Sequence, residues 1–403
     1  MDRAGALRLD DQLRVGFPAG ILELQVGCGV GRNATSVRSK TFLLILILVA
    51  FSLPGVSWAE PPPKTIPVIY CSDLFHPHDD PDDHFDIATI YAILEFGIKA
   101  IILDQGRKQD KKPGRIPVEQ LNHLTGRDIP WANGLADPLK TPDDTAADQD
   151  PEYQKGVMLI LDTLKGSKEP VTIITVGSVR DVAAALNREP HLFRRKVAKL
   201  VMFIGDAQSA FQEYNVKLDP YAYIRVMNSG LPIWWVPCFD GGPRQNEGNA
   251  SFWQANHADL LRNVSCPVLN YFIYALEKGT SDHIAYLGHQ VNEETRKRVL
   301  SGKRNLWCCA VFTEIADRSI VRRDGEWLAV PAGTVKHNTN VVEVFTYAPV
   351  SLSVDGQANV VYGEEPRSHK VNRFQVVNNQ LYPTVMTSVT NRLLRDLGEA
   401  EGP

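Results

Sequence analysis

The chain has 403 residues, of which 44% are hydrophobic, and its formal net charge at pH 7 is −4. This composition indicates a globular protein that can bury one large core or two modest ones. The nearly balanced charge and the lack of a basic block in the sequence exclude a nucleic-acid-binding surface, so no nucleic acid is expected as a partner.

The longest apolar run of the sequence is Phe42 to Phe51, and basic residues precede it. The run is too short to span a bilayer comfortably and leads to small residues before Ala59, which is the pattern of a secretory signal peptide. We expect residues 1–59 to be an N-terminal extension with a signal peptide and residues 60–403 to be the folded domain. The protein is then periplasmic or secreted; if the segment is not cleaved, it is a membrane anchor.

Strand and helix patterns alternate along the rest of the chain. Apolar runs predict strands at Ile66–Tyr70, Ile98–Leu103, Val171–Val176, Lys199–Ile204 and Ile233–Val236. Helical patterns lie at Phe85–Phe96, Pro117–Thr125, Asp150–Leu164, Val179–Asn187, Pro190–Lys196, Tyr221–Ser229 and Pro383–Leu397. This alternation is typical of βαβ units, so we expect one α/β domain with a mainly parallel open sheet flanked by helices.

Aspartates are concentrated between the first predicted strand and the first predicted helix. They are Asp73, Asp79, Asp80, Asp82, Asp83 and Asp86. Open α/β sheets bind ligands at the carboxyl ends of their strands, so we expect these side chains at the ligand-binding edge. A hard cation, Ca²⁺ or Mg²⁺, would relieve their mutual repulsion. The alternative is a solvated acidic loop, with Asp82 and Asp83 at a helix N-terminus.

The same stretch allows a second metal hypothesis, because His76, His78 and His84 are interspersed with the aspartates. These groups would form a transition-metal hydrolase centre. The cysteines fit no zinc pattern; those after residue 60 are Cys71, Cys238, Cys266, Cys308 and Cys309.

A third group of polar residues lies in the segment Gln212 to Pro220. Glu213 and Asn215 are two residues apart, so on an extended segment they point the same way. A carboxylate beside an amide suits a diol such as ribose. Asp219 and Pro220 are interpreted instead as the cap and first-turn proline of the next helix.

Taken together, these segments resemble the inosine-uridine-preferring nucleoside hydrolases. That family opens with a strand, the motif Asp-x-Asp-x-Gly-x-Asp-Asp and a helix; Asp73 stands at its second aspartate, Asp82-Asp83 at the closing pair, and Cys71 at the first aspartate. Residues 212–220 are similar to the family's Glu-Phe-Asn-x-x-x-Asp-Pro, and residues 175–186 to its Gly-Pro-Leu-Thr-Asn turn and helix.

The resemblance implies a nucleoside hydrolase-like fold and a hydrolase of N-glycosidic bonds that acts on a nucleoside or other ribosyl compound and uses Ca²⁺. It implies Asp73 as the general base, and Glu213 and Asn215 as ligands of the sugar hydroxyls. The calcium ligands that it implies are Asp73, Asp82, Asp83 and the carbonyl of Val176, with Asp86 as the reserve candidate. A homo-oligomer is also expected.

The chain departs from the family's pattern in two segments. In the first, the motif's glycine is absent and about five extra residues, the acidic insertion, separate Asp73 from Asp82-Asp83. In the second, where the family has a His that aids the leaving base and an Asp that completes the calcium shell, this chain has Trp307 and Cys308. Glu314 and Asp317 are possible substitutes, and both could equally be exposed helix charges.

Two hypotheses of different classes follow from these departures. In the first, the protein is an exported hydrolase with an altered metal shell, in which the acidic insertion supplies the missing carboxylate from Asp79, Asp80 or Asp86. In the second, it is a catalytically silent nucleoside- or sugar-binding protein on the same fold.

Overall fold

Thirteen strands are present in the computed structural model, which describes residues 65–337, 339–364 and 368–397. They are β1 (Ile66–Ser72), β2 (Phe96–Leu103), β3 (Trp131–Asn133), β4 (Val171–Thr175), β5 (Val197–Phe203), β6 (Ile233–Val236), β7 (Trp253–Asn256), β8 (Lys303–Leu306), β9 (Arg318–Arg323), β10 (Glu326–Pro331), β11 (Phe345–Val354), β12 (Val360–Tyr362) and β13 (His369–Val376). The expected signal peptide lies outside the described residues.

Nine of these strands form the central sheet, in the order β12-β11-β13-β6-β5-β4-β1-β2-β3. Each neighbouring pair from β13 to β3 is parallel, and β11 pairs antiparallel with β12 and β13. The strands β7 and β8 pair with each other, as do β9 and β10. The mainly parallel sheet expected from the sequence is therefore confirmed.

Thirteen α-helices accompany the strands in the described part of the chain. They are α1 (Asp82–Ala92), α2 (Gly106–Gln109), α3 (Arg115–Thr125), α4 (Lys155–Gly166), α5 (Arg180–Arg188), α6 (Pro190–Lys196), α7 (Tyr214–Leu218), α8 (Pro220–Met227), α9 (His257–Leu260), α10 (Cys266–Leu276), α11 (Glu293–Leu300), α12 (Phe312–Ile315) and α13 (Tyr382–Asp396). None of the described helices is both long and apolar enough to cross a membrane.

The central strands are apolar on both faces because helices cover both faces of the sheet. Val68 and Tyr70 of β1 belong to one buried cluster, together with residues of α1, α3, α10 and α13. Ile69 and Cys71 point the other way, into a second cluster with α4, α5, α6 and α8. The described residues form one compact unit built on these two layers.

Two local expectations about helix boundaries are wrong. The first helix begins at Asp82, not Phe85, and ends at Ala92, because the chain turns and β2 starts at Phe96. Apolar residues continue through this turn, so their spacing cannot mark where the helix ends. Asn215 was expected on an extended segment and instead lies in α7.

The expected cap at Asp219 is confirmed. Its side chain accepts a hydrogen bond from the backbone N–H of Ala222, and Pro220 is the first residue of α8. This is the arrangement that an aspartate followed by a proline favours at a helix start.

Candidate functional site

A cavity of about 450 Å³ opens at the carboxyl ends of the central parallel strands. Its walls come from the segments after β1, β2, β4, β5, β6 and β8, and its lining residues are Asp73, Phe75, Asp79, Asp80, Asp82, Asp83, Asp86, Lys108, Val176, Phe203, Glu213, Tyr214, Asn215, Cys238, Phe239, Trp307 and Cys308. Every residue to which the family resemblance assigned a calcium, general-base or sugar-binding role is among them. Their roles remain predictions, but their proximity is a feature of the structure.

The inner carboxylates come from the β1–α1 connection. Asp82 and Asp83 are the first two residues of α1, where the helix dipole favours negative charge. The Ser72 hydroxyl, at the end of β1, donates to Asp83 Oδ1 at 3.3 Å. Strand and helix thus fix the two carboxylates at the cavity wall.

Burial raises the pKa of Asp73, Asp82 and Asp83 well above the usual range of an aspartate. Neighbouring acids raise each pKa further: Asp104 for Asp73, Asp80 for Asp82, and Asp73 for Asp83. The charged forms repel one another in a region with little solvent, so the cluster favours either protonation or a cation.

Asp86 lies one helical turn after Asp82 and is only 1% exposed. Its Oδ1 accepts hydrogen bonds from the Cys309 backbone N–H at 3.1 Å and from Cys309 Sγ at 3.0 Å. Burial raises its pKa to about 6. The side chain therefore places a carboxylate against the Cys308–Cys309 segment, where the family pattern has its own aspartate.

The other two acids of the insertion lie at the rim and carry their own counter-charges. Asp79 pairs with Lys108 at 2.6 Å and also with Lys112. Asp80 pairs with Arg304 at 2.8 Å. Both aspartates are about half exposed, at 45% and 54%, so they are less suited to replace a buried ligand than Asp86 is.

The donor types of the inner cluster fit a hard dication such as Ca²⁺, because they are buried carboxylates that destabilise one another. Their arrangement does not form a finished coordination group: within the described ranges, no three His, Cys, Asp or Glu side chains are placed so that they could hold a metal ion. The chemistry of these residues thus supports a calcium site.

The same finding bears on the expected transition-metal centre. The rings of His76 and His78 lie 6.3 and 6.2 Å from that of His84, but none of the three lines the cavity. His76 is engaged elsewhere, through Nε2 with the carbonyl of Gly279 at 2.6 Å. The histidines of the described part therefore do not join the aspartates in a metal centre.

Glu213 is 4% exposed, and its carboxylate is already bonded to the backbone. Oε2 accepts from the N–H of Gly205 at 3.0 Å, and Oε1 accepts from the N–H of Asn215 at 3.0 Å, which caps α7. Burial raises its pKa in spite of these bonds. Glu213 thus fixes the loop between β5 and α7, whatever else it contacts.

The side chain of Asn215 lacks hydrogen-bond partners that Glu213 has. Its Oδ1 is buried and has no hydrogen-bond partner among the described residues, although the residue lines the cavity. An unpaired buried amide oxygen costs about 1–3 kcal/mol. A ligand hydroxyl that donated to this oxygen would remove that cost.

The turn that carries Val176 is held against the β1 end by a buried acid that the sequence pattern did not reveal. Asp104, at the end of β2, accepts from the N–H of Ser178 at 2.8 Å. A Cβ at Gly177 would come within 2.9 Å of the Asp73 backbone nitrogen, so the two loops meet only because residue 177 is glycine.

Beneath this turn, Asp181 supports a prediction about stability. Burial and the charge of Asp104 raise its pKa to about 7. The pKa of Asp181 is higher in the folded protein than in the unfolded chain. Its contribution to the free energy of unfolding is therefore fully present below about pH 4 and is lost as the pH rises through about 7. Between pH 4 and pH 8, the parent should therefore lose about 2–4 kcal/mol of its free energy of unfolding through this group, and Asp181→Asn should not show that loss.

Chemical denaturation at several pH values measures this effect. Asn can still accept the hydrogen bond that Asp181 Oδ1 receives from the N–H of Leu135 at 2.9 Å. The exposed, ion-paired Asp137 serves as the control, and Asp137→Asn should keep the parent's pH dependence. Equal losses of stability in parent and Asp181→Asn would contradict the prediction.

An aromatic wall faces the cavity and was largely missed by the sequence analysis. Trp307 and Phe239 line it with ring centroids 5.8 Å apart, and Phe252 packs against both, at 5.6 Å from Trp307 and 6.0 Å from Phe239. The one signal in the sequence was that Phe239 follows a predicted strand and so lies near the ligand-binding edge. Glu314 and Asp317, which the sequence left open as possible substitutes for the missing groups, do not line the cavity.

Comparison with known proteins finds similarity to one family. Residues 79–257 match the family model of the inosine-uridine preferring nucleoside hydrolases. The pyrimidine-specific ribonucleoside hydrolase RihA of Escherichia coli O1:K1 is 31% identical over 192 residues, which is 42% of this chain and 58% of the relative. RihA of Citrobacter koseri is 32% identical over 189 residues, with the same two coverages.

Among solved structures, the inosine-uridine preferring nucleoside hydrolase from Bacillus anthracis matches with 13% identity and a TM-score of 0.47, covering 82% of this chain and 100% of that one. The chain spans a little under three fifths, 58%, of the length of the curated relatives it matches. The family match includes Asp82, Asp83, Asp86, Val176, Glu213 and Asn215, and it excludes Asp73 and the Trp307–Cys308 segment. Residues 79–257 are therefore similar in sequence to the inosine-uridine preferring nucleoside hydrolases, over less than half of this chain.

Proposed function

We propose that this protein hydrolyses the N-glycosidic bond of a nucleoside or other ribosyl compound. One observation carries the proposal: an aspartate-rich segment, a turn and a glutamate–asparagine pair, which are far apart in the sequence, line one cavity at the carboxyl edge of the sheet. The relatives that match the chain are named as ribonucleoside hydrolases, which supports the same reaction class.

The residues of the cavity suit the demands of this reaction. An N-ribosyl bond breaks through an oxocarbenium-like transition state, so the site must hold the sugar and deliver a water molecule. Asp73 takes a proton from the attacking water, and its raised pKa makes the carboxylate a stronger base than an ordinary aspartate. The negative charges of Asp82, Asp83 and Asp86 stabilise the positive charge that develops on the sugar.

We include a calcium ion in the proposal. The residues that would hold it are Asp73, Asp82, Asp83 and Asp86 with the carbonyl of Val176. When bound, such an ion lowers the pKa of a water ligand and binds the sugar diol. Cys308 is unsuited to a hard cation, and burial raises its thiol pKa well above the usual range, which keeps it protonated.

Ribose release from inosine and uridine, measured as reducing sugar, tests the proposal. The parent should release ribose, and Asn215→Ala should lower kcat/KM by about tenfold through the loss of one sugar contact. Gln254→Ala removes an exposed amide outside the cavity and should match the parent. If the parent binds nucleosides but hydrolyses none of a broad panel, the protein is the silent nucleoside-binding alternative.

Export and self-association complete the proposal. The apolar run from Phe42 and the small residues before Ala59 support a cleaved signal peptide and a periplasmic or secreted protein. N-terminal sequencing of the native protein should begin at Glu60, and a start well upstream would argue for an uncleaved anchor. A homo-oligomer, which light scattering would detect, is proposed on the family resemblance alone.

A further inference from the structure

The cavity is strongly acidic. Seven of its lining residues are Asp or Glu, and Lys108 is the single basic residue among those that the structure describes there. Lys108 is already paired with Asp79, and Arg304 neutralises Asp80 from outside the lining. Asp73, Asp82, Asp83, Asp86 and Glu213 form no ion pair with any described Lys, Arg or His. The carboxyl groups that a bound dication does not engage can therefore face a cationic ligand.

The aromatic side chains of the cavity also favour a positively charged ligand. Trp307 and Phe239 line the cavity, and Phe252 packs against both rings. The faces of aromatic rings attract cations, most strongly at Trp, and also stack with planar heterocycles. A planar group that carries positive charge therefore suits this wall better than a neutral one.

The groups near this wall are poor proton donors for a departing base. None of the described residues that line the cavity is a histidine, and the two thiols there, of Cys238 and Cys308, belong to a weakly acidic class of side chain. The Trp307 Nε1–H is buried and has no partner among the described residues, and an indole is too weak an acid to give up its proton. A neutral purine or pyrimidine usually needs such a proton in order to leave.

We infer that the preferred substrates are N-ribosides whose base already carries a positive charge, such as a ribosylpyridinium or an N7-methylated purine nucleoside. This inference rests on the proposed hydrolase function and specifies its substrate class. Water oxygen bonds to C1′ while its proton passes to Asp73. The C1′–N bond breaks, and its electron pair neutralises the ring nitrogen, so the base departs neutral without being protonated.

A comparison within two substrate pairs tests the inference on the full-length protein. Nicotinamide riboside and nicotinic acid riboside share a pyridinium leaving group, but the second also carries a carboxylate that the acidic cavity should repel. We expect kcat/KM to be at least tenfold higher for the amide. The second pair is 7-methylinosine and inosine, with rates divided by those without enzyme, and we expect the methylated nucleoside to be preferred.

A variant separates the role of the wall from general effects on folding. Trp307→His places a proton donor at the wall and should raise the kcat/KM of inosine relative to 7-methylinosine by about tenfold or more. Because this readout is a ratio within one variant, partial unfolding does not change it. Trp327 lies outside the cavity, so Trp327→His should leave the ratio as in the parent.

The outcomes distinguish this inference from the function on which it rests. Hydrolysis of inosine or uridine with no preference for the cationic partner, or equal rates for the two pyridinium ribosides, would overturn the inference and leave the hydrolase proposal standing. Failure to hydrolyse any riboside, neutral or cationic, would overturn both. The inference is supported if the parent prefers the charged base, and if this preference is reduced in Trp307→His but not in Trp327→His.

Discussion

Replacing Asp73 with Asn is expected to reduce kcat for riboside hydrolysis by about a hundred- to ten-thousand-fold, the usual contribution of a positioned general base. Asn has nearly the same shape as Asp but cannot accept the proton of the attacking water. The side chain follows β1 at the cavity wall, and Gly177 keeps the neighbouring turn close to its backbone. Steady-state assays at saturating Ca²⁺ should therefore show a large loss of kcat.

The pH profile gives an independent check of this role. Burial and the charge of Asp104 raise the Asp73 pKa, so the parent's kcat/KM should begin to fall at a higher pH than an ordinary aspartate would cause, as acid protonates the base. The residual activity of Asp73→Asn should lack this acid limb. Asp137→Asn is the control and should behave as the parent does. A loss of less than threefold in Asp73→Asn would reject Asp73 as the base.

The sequence predicted the sheet well because its central strands are buried on both faces. Such strands are continuous apolar runs, like Ile66–Tyr70 and Ile233–Val236, which no solvent-exposed segment of this length would maintain. The second run matches β6 at both ends, and the first falls two residues short of the end of β1. Helix ends were less certain, since Ile93 and Phe96 are apolar on both sides of the turn that separates α1 from β2.

The site was predictable where a motif coincides with a strand end. Asp73, Asp82 and Val176 follow β1 and β4 directly or within one connection, and the topology of a parallel sheet brings such positions to one edge. Lys108 also follows a strand but lies in a segment rich in basic residues, so its entry into the cavity could not be read from composition.

Contacts between distant segments were beyond the reach of sequence reasoning. Glu213 was expected to face a sugar, but both of its oxygens bond to backbone N–H groups, including that of Gly205. The two bonds depend on how the β5–α7 loop folds back, which spacing does not specify. The contact between Asp86 and Cys309 joins residues 223 positions apart and could be found only in three dimensions.

That contact leads to the second large effect. If Asp86 supplies the carboxylate that Cys308 cannot, Asp86→Asn should weaken Ca²⁺ binding by at least ten- to a hundred-fold, the range found when even the supporting residues of metal sites are altered. Cys308→Ser should leave the affinity nearly unchanged, because a hard cation gains little from a thiol. Adding Cys308→Asp to Asp86→Asn should restore most of it, because the Cys308 side chain also contacts the Asp86 carboxylate, and the new carboxylate starts from the opposite side of that contact.

Calorimetric titration with Ca²⁺ and the calcium-dependent rise in Tm both report this affinity without relying on turnover. Asp79→Asn and Asp80→Asn are matched controls on the same insertion; each acid already has a cationic partner, so each variant should bind calcium as the parent does. Undiminished calcium binding in Asp86→Asn would show that its carboxylate serves only to hold the Cys309 segment. If the double variant binds calcium no more tightly than Asp86→Asn does, position 308 cannot reach the ion. The hypothesis that Asp86 replaces a carboxylate at position 308 would then be wrong.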